Sequence, residues 1–288
     1  MDFAKGVSAI LANSGHILDY RRGKEVLKAK GPTIIAIPTT VGTGAEVTTS
    51  AVITDPIAKR KYIIASPLIQ PAYVIVDPSL TYTLPSSIVA ATGMDALVHA
   101  IESYVSLSAT PLSEAFSLQA IKMLIEFLPA SYAQPANIEA RSQIHLASTL
   151  AGFAFNYGKL GLVHSCSHPM SAHFQVPHGI ANAILLPYVI GFNKIANIKK
   201  FAEIARIFDS SLLMKNDIFA ANQLENLVHA LNKELNIPSN FKYLNIVFTN
   251  DMIEKLALDA LDNIGTLPHN PRKATKDDII QIYSQVLN

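Results

Sequence analysis

The chain has 288 residues, half of them hydrophobic and only 16% charged, against about 25% charged in an ordinary globular protein. A formal net charge of +1 gives no electrostatic case for a nucleic-acid partner or an anionic membrane surface. The single cysteine, Cys166, excludes an intramolecular disulfide and suits a reducing compartment. No run approaches the ~18 uninterrupted apolar residues of a membrane span, because the best candidate, 180–192, is broken by Asn182 and Pro187. No signal-peptide core is visible either, so the expectation is a soluble cytoplasmic chain with a large buried surface.

In chain order, MDFAKGVSAILANSG reads as an amphipathic helix with no strand ahead of it. Residues 33–38, 47–54, 61–66 and 72–77 are short β-branched runs bounded by Gly, Pro and Asp, and read as strands. Near Leu84–Pro85 the pattern changes. Segments such as 113–128, 140–155 and 221–236 carry apolar residues at three- and four-residue spacing, which predicts helices. LPSS supplies the helix start at that switch. The expected organisation is a strand-containing part, 1–84, followed by an all-helical part, 85–288.

Histidine carries the chemistry. In TGMDALVHAIE, Asp95 and His99 stand four apart, and so on one face of one helix. A charge in so apolar a setting costs several kcal/mol, roughly, unless it is paired or bound to a metal. A second cluster, LVHSCSHPMSAHFQVPHG, holds His164, His168, His173 and His178. Imidazole and carboxylate both suit zinc or ferrous iron. Plainer readings compete. Thr92-Gly-Met-Asp95 also matches a capping box, His99 suits a hydrogen-bonded core position, His164 and His168 suit ordinary packing, and His173 has no partner.

TGMDALVHAIE and LVHSCSHPMSAHFQVPHGIANAILLP resemble the signature regions of the iron-containing (group III) alcohol dehydrogenases. PTTVGTGAEVTTSAVITD (38–55), VDPSLTYTLP (76–85) and NPRKATKDDIIQIY (270–283) match the same family, in order, over essentially the whole chain. The resemblance implies a partial Rossmann-like α/β domain followed by an all-α metal-binding domain, in a dehydroquinate synthase-like architecture. It implies Asp95, His99, His164 and His178 as metal ligands, for Fe2+ or alternatively Zn2+. His168 is implied to place substrate or transfer a proton, and Thr39, Thr40, Thr43 and Lys61 to line the site of NAD or NADP. Glu102 shares the face of Asp95 and His99 and fits either a ligand-orienting role or a structural ion pair. The implied reaction moves hydride between a small alcohol or aldehyde and the nicotinamide, in a homodimer or larger homo-oligomer.

Members of that family carry a Gly-Gly-Gly-Ser turn just before the helix that begins here at Asp2. The resemblance therefore implies a chain lacking its first strand–helix units, with weakened cofactor binding and exposed sheet edges. Two alternatives are a catalytically inactive fragment that keeps metal or partner binding, and a glycerol dehydrogenase-like metal enzyme.

Overall fold

The computed structural model describes residues 1–287. Its first part is built on α1 (Asp2–Ala12), which packs against a β-hairpin of β2 (Ser50–Asp55) and β3 (Arg60–Ala65). The hairpin is antiparallel, with Val52 opposite Ile63 and Asp55 opposite Arg60. Lys5 is buried at the seam, and its Nζ donates to Thr48 O (2.8 Å), Thr48 Oγ1 (3.0 Å) and Ser50 O (2.9 Å). A second pair, β1 (Ile35–Ala36) and β4 (Tyr73–Val74), is parallel.

These strands are shorter than their sequence runs. Pro32 and Pro38 bracket the 33–38 run and have no N–H to give to a ladder, so only two residues of it pair. Residues 47–49 lie outside the hairpin: the Val47 N–H turns back to Gly44 O, and the carbonyl of Thr48 is taken by Lys5.

From Ser86 onward the described residues form helices and short 3-10 turns: α2 (Ser86–Val105), α3 (Pro111–Ala133), α4 (Ile138–Gly158), α5 (Leu162–Phe174), α6 (His178–Asn193), α7 (Ile198–Phe208), α8 (Asp217–Glu234), α9 (Asn250–Leu261) and α10 (Lys276–Leu287). α2 is buried almost all round, from Val89 to Val105. A helix apolar on every face belongs in a core, and α3, α4, α6 and α7 surround it. The competing capping-box reading fails. Thr92 and Asp95 lie inside α2, where the N–H groups are already used by the helix, and the Thr92 hydroxyl turns back to Ile88 O.

One helical stretch, His178–Ala196, is long and apolar enough by composition to cross a membrane, contrary to the reading of its sequence, but more than half of it is buried inside the protein. It reads as a core helix. Two contacts tie the parts together. Arg141 of α4 is fully buried and donates to Thr81 O and Leu84 O, both at 3.1 Å. Arg60 of β3 pairs with Asp259 and Asp262 at the end of α9, at 2.6 and 2.9 Å.

Helix α6 begins in direct contact with α2, because Gly179 has no side chain. A Cβ there would sit 2.0 Å from Ala91 O, a backbone atom that cannot swing aside. We expect Gly179→Ala to push the helices apart and destabilise the fold by about 1–3 kcal/mol, read as a lowered midpoint in denaturant unfolding. An unchanged midpoint would contradict the contact.

Candidate metal centre

Three helices deliver the predicted ligands to one point. Asp95 and His99 project from α2, His164 from α5, and His178 from the first turn of α6 behind Pro177. The ligand atoms of Asp95, His99 and His164 all lie within 4.8 Å of one another. The Nε2 atoms of His99, His164 and His178 stand 3.8, 3.8 and 3.7 Å from Asp95 Oδ1. These spacings are too long for hydrogen bonds and close to the edge lengths of a coordination shell with bonds of about 2.1 Å.

The rings of His99 and His164 are fixed so that Nε2 presents a lone pair. The Nδ1–H of His99 donates to Gly42 O at 3.1 Å, and the ring stacks on Phe155 with centroids 4.4 Å apart. His164 donates through Nδ1 to Glu102 Oε2 at 2.6 Å, while the Val163 N–H holds Glu102 Oε1 at 2.7 Å. A carboxylate behind a ligating imidazole sets its tautomer and raises its basicity.

The donor set fits a cation. The Nδ2 of Asn182 lies 2.6 Å from Asp95 Oδ1, 3.2 Å from His164 Nε2 and 3.3 Å from His178 Nε2. An amide NH2 has two hydrogens for those three acceptors, and His99 Nε2 has no donor at all. Buried acceptors without donors are costly. A divalent ion is the group that would satisfy four such lone pairs at once, and imidazole and carboxylate suit zinc or ferrous iron.

His168 sits one turn after His164 on α5, its ring centroid 6.0 Å from that of His164 and 5.4 Å from that of His178. The amide of Asn263 donates to its Nδ1 at 3.1 Å, which leaves the ring proton on Nε2. Burial pushes His164, His168 and His178 well below the ordinary imidazole pKa, helped by neighbouring histidines and by Lys61. Burial also pushes the Glu102 carboxyl up to about 7, against the N–H groups of Gly161 and Val163.

The cleft beside these residues runs between the hairpin and the helices. Thr43 and Lys61 line it together with Asp95, His99, His164, His168 and His178. Thr39 and Thr40, a few residues upstream of Thr43, do not line it, because the chain reaches the cleft only after Gly42 has closed on α2. Lys61 is partly buried, and its ammonium is lowered by that burial. His173 does have a partner, donating to Asp259 at 2.8 Å. Sequence reading missed Asn182 and Asn263. Asn182 carried a signal, since it lies one helical turn after His178.

Two family profiles match: "Iron-containing alcohol dehydrogenase" over residues 1–78, and "Fe-containing alcohol dehydrogenase family, C-terminal" over residues 89–287. Among characterised relatives, the NAD-dependent methanol dehydrogenase of Bacillus methanolicus is 41% identical over 286 residues, covering 99% of this chain and 74% of its own. The 1,3-propanediol dehydrogenase of Klebsiella pneumoniae is 36% identical, covering 99% and 72%. The crystal structure of a 1,3-propanediol oxidoreductase superposes with a TM-score of 0.94 at 36% identity, covering 99% and 74%.

Two outcomes follow from this geometry. Glu102→Gln should lower metal affinity by about 10- to 100-fold, measured by competition with a chelating dye, and an unchanged affinity would contradict the role of Glu102. Below about pH 6.5 an unfolded chain takes up protons that the buried imidazoles refuse, so the metal-free protein should lose stability as pH falls from there toward the depressed folded values. The loss is at most about 1.4 kcal/mol per pH unit for each of the three histidines. Glu102 acts oppositely between about 7 and its ordinary 4.5, one group against three. Denaturant midpoints across pH check the sign.

Proposed function

This chain belongs to the iron-containing alcohol dehydrogenase family, and from that membership we propose that Asp95, His99, His164 and His178 hold its catalytic metal, Fe2+ with Zn2+ as competitor, for oxidation of short primary alcohols and diols. The convergence of three Nε2 atoms on Asp95 Oδ1 carries the reading. The methanol and 1,3-propanediol activities named for the relatives support the substrate class.

Held by Asp95, His99, His164 and His178, a metal would supply Lewis acidity toward an alcohol or carbonyl oxygen, and a nicotinamide cofactor would supply the hydride acceptor or donor. The rest falls to the chain's own side chains. His168, its proton held on Nε2 by Asn263, donates that N–H to the reacting oxygen and so holds it in place, and its lowered pKa keeps the ring a neutral imidazole at neutral pH. Phe155, stacked on His99 in the wall of the cleft, keeps water from the reacting carbon. Thr43 and Lys61, which line the cleft, offer a hydroxyl and a cation to the cofactor's phosphate and ribose oxygens.

The same reading divides the chain at Leu84–Pro85. Residues 1–84 form part of a Rossmann-like nucleotide-binding domain, supported by the parallel β1–β4 pair. Residues 85–288 form the helical metal-binding domain of a dehydroquinate synthase-like architecture.

With metal and NAD(P) supplied, His168→Ala should lower kcat for a primary alcohol by about 10²- to 10⁴-fold with metal content unchanged. Asp95→Asn should lower metal content and activity together. Full activity in the metal-depleted Asp95→Asn protein would overturn the assignment.

A further inference from the structure

The cleft holds more positive charge than its metal and cofactor functions use. Arg22, Lys61 and Lys159 all line it, and none has a carboxylate within ion-pair distance among the described residues. The two carboxylates that line the cleft are engaged elsewhere: Asp2 accepts from the Val52 N–H at 2.8 Å, and Asp95 belongs to the metal cluster.

Lys61 stands on the hairpin, beside the segment assigned to the cofactor. Arg22 lies against the same hairpin, its N–H donating to Ile63 O at 2.8 Å, and Lys159 stands at the end of α4. Arg22 donates to Gly265 O at 3.0 Å, and Lys159 follows the last turn of α4, its Nζ 2.6 Å from Asn156 O. Gly265, Thr266, Asn156 and Leu160 line the same cleft. The two cations are close enough for Arg22 to depress Lys159, in addition to burial, and both depress His269. Lys159 is half-buried and Arg22 exposed, and an unpaired like charge nearby is unfavourable for the half-buried ammonium.

The backbone adds an independent observation. Lys159 has φ 67 and ψ 176, a region essentially reserved for glycine. Glycine would relieve the strain at no steric cost. A lysine held there, with its ammonium in the cleft, is strain retained at a functional site.

We propose that Arg22 and Lys159 form an anion subsite for the substrate's far end, so that this protein prefers short alcohols and aldehydes bearing a carboxylate or sulfonate over neutral ones. The proposal rests on the assignment of this cleft to alcohol oxidation and names the substrate class within it. A carboxylate opposite the reacting carbon receives charge-assisted hydrogen bonds from both cations, and the anion supplies the counter-charge that the two cations lack. Specificity then arises from a burial cost that only an anionic substrate removes.

The test compares 3-hydroxypropanoate, 4-hydroxybutanoate and 5-hydroxypentanoate with 1-propanol, 1-butanol and 1-pentanol, on metal-loaded wild type and on Lys159→Gly. Equilibrium binding is followed by calorimetry, turnover by NAD(P)H formation, and thermal midpoints are recorded. At least one acid should bind about tenfold or more tighter than its neutral partner. Lys159→Gly should abolish that preference, leave the neutral alcohols unchanged and raise the thermal midpoint, whereas a merely structural lysine would lower it. Lys159→Arg should retain part of the preference. The proposal is overturned if no acid is preferred, if Lys159→Gly weakens acids and alcohols alike, or if it weakens only NADH binding, which would assign the cations to cofactor phosphate. If wild type prefers the acids in calorimetry but turns over neither series, the assigned reaction fails and the anion subsite stands.

Discussion

The shortage of protons around Asp95 governs this structure. Asp95 Oδ1 and the Nε2 atoms of His99, His164 and His178 crowd together, and the nearest donor is one amide, that of Asn182. Left alone, each unsatisfied buried acceptor costs about 1–3 kcal/mol, so the surrounding fold must hold the cluster against relaxation. Glu102 and Gly42 O fix two of the imidazoles from behind. The bare Gly179 lets α6 reach the α2 backbone and bring His178 and Asn182 to Asp95.

The chemistry is therefore divided between rigid and adaptable parts. The proposed metal ligands stand on helices buried within one continuous core, where α2 is the central element. The opposite wall of the cleft comes from the hairpin, which has its own small core and is held to α9 by Arg60 and its two aspartates. His168 lies between them, with its orientation set by Asn263 from the segment after α9. The geometry of the four-residue cluster is thus fixed by helix packing, while the rest of the cleft is set by loops and by the hairpin.

Much of this was legible in the sequence, for identifiable reasons. Helical periodicity over 113–128 and 140–155 reports one buried face, and α3 and α4 extend a few residues beyond those windows because caps at Thr110 and Asn137 set their starts. The spacing of Asp95 and His99 placed both on one face, but the competing capping box failed because α2 starts at Ser86, well before Thr92. Strand runs overstated the ladders, since β-branched content does not reveal whether a partner strand is adjacent. Glu102 was visible by its register with Asp95 and His99, yet its bond to His164 depends on how α5 packs on α2, which no local pattern encodes. Asn263 has no such signal, because it reaches His168 from 95 positions away.

The central claim is that four side chains from three helices bind one divalent ion. Cobalt titration of the metal-free protein under anaerobic conditions tests it most directly, because Co2+ takes the same nitrogen and oxygen donors and reports its coordination number by visible absorption. One equivalent should bind with intense d–d bands of a low-coordinate site, and His164→Ala should abolish them. Weak pale-pink octahedral absorption in wild type, or bands unchanged in His164→Ala, would contradict the account.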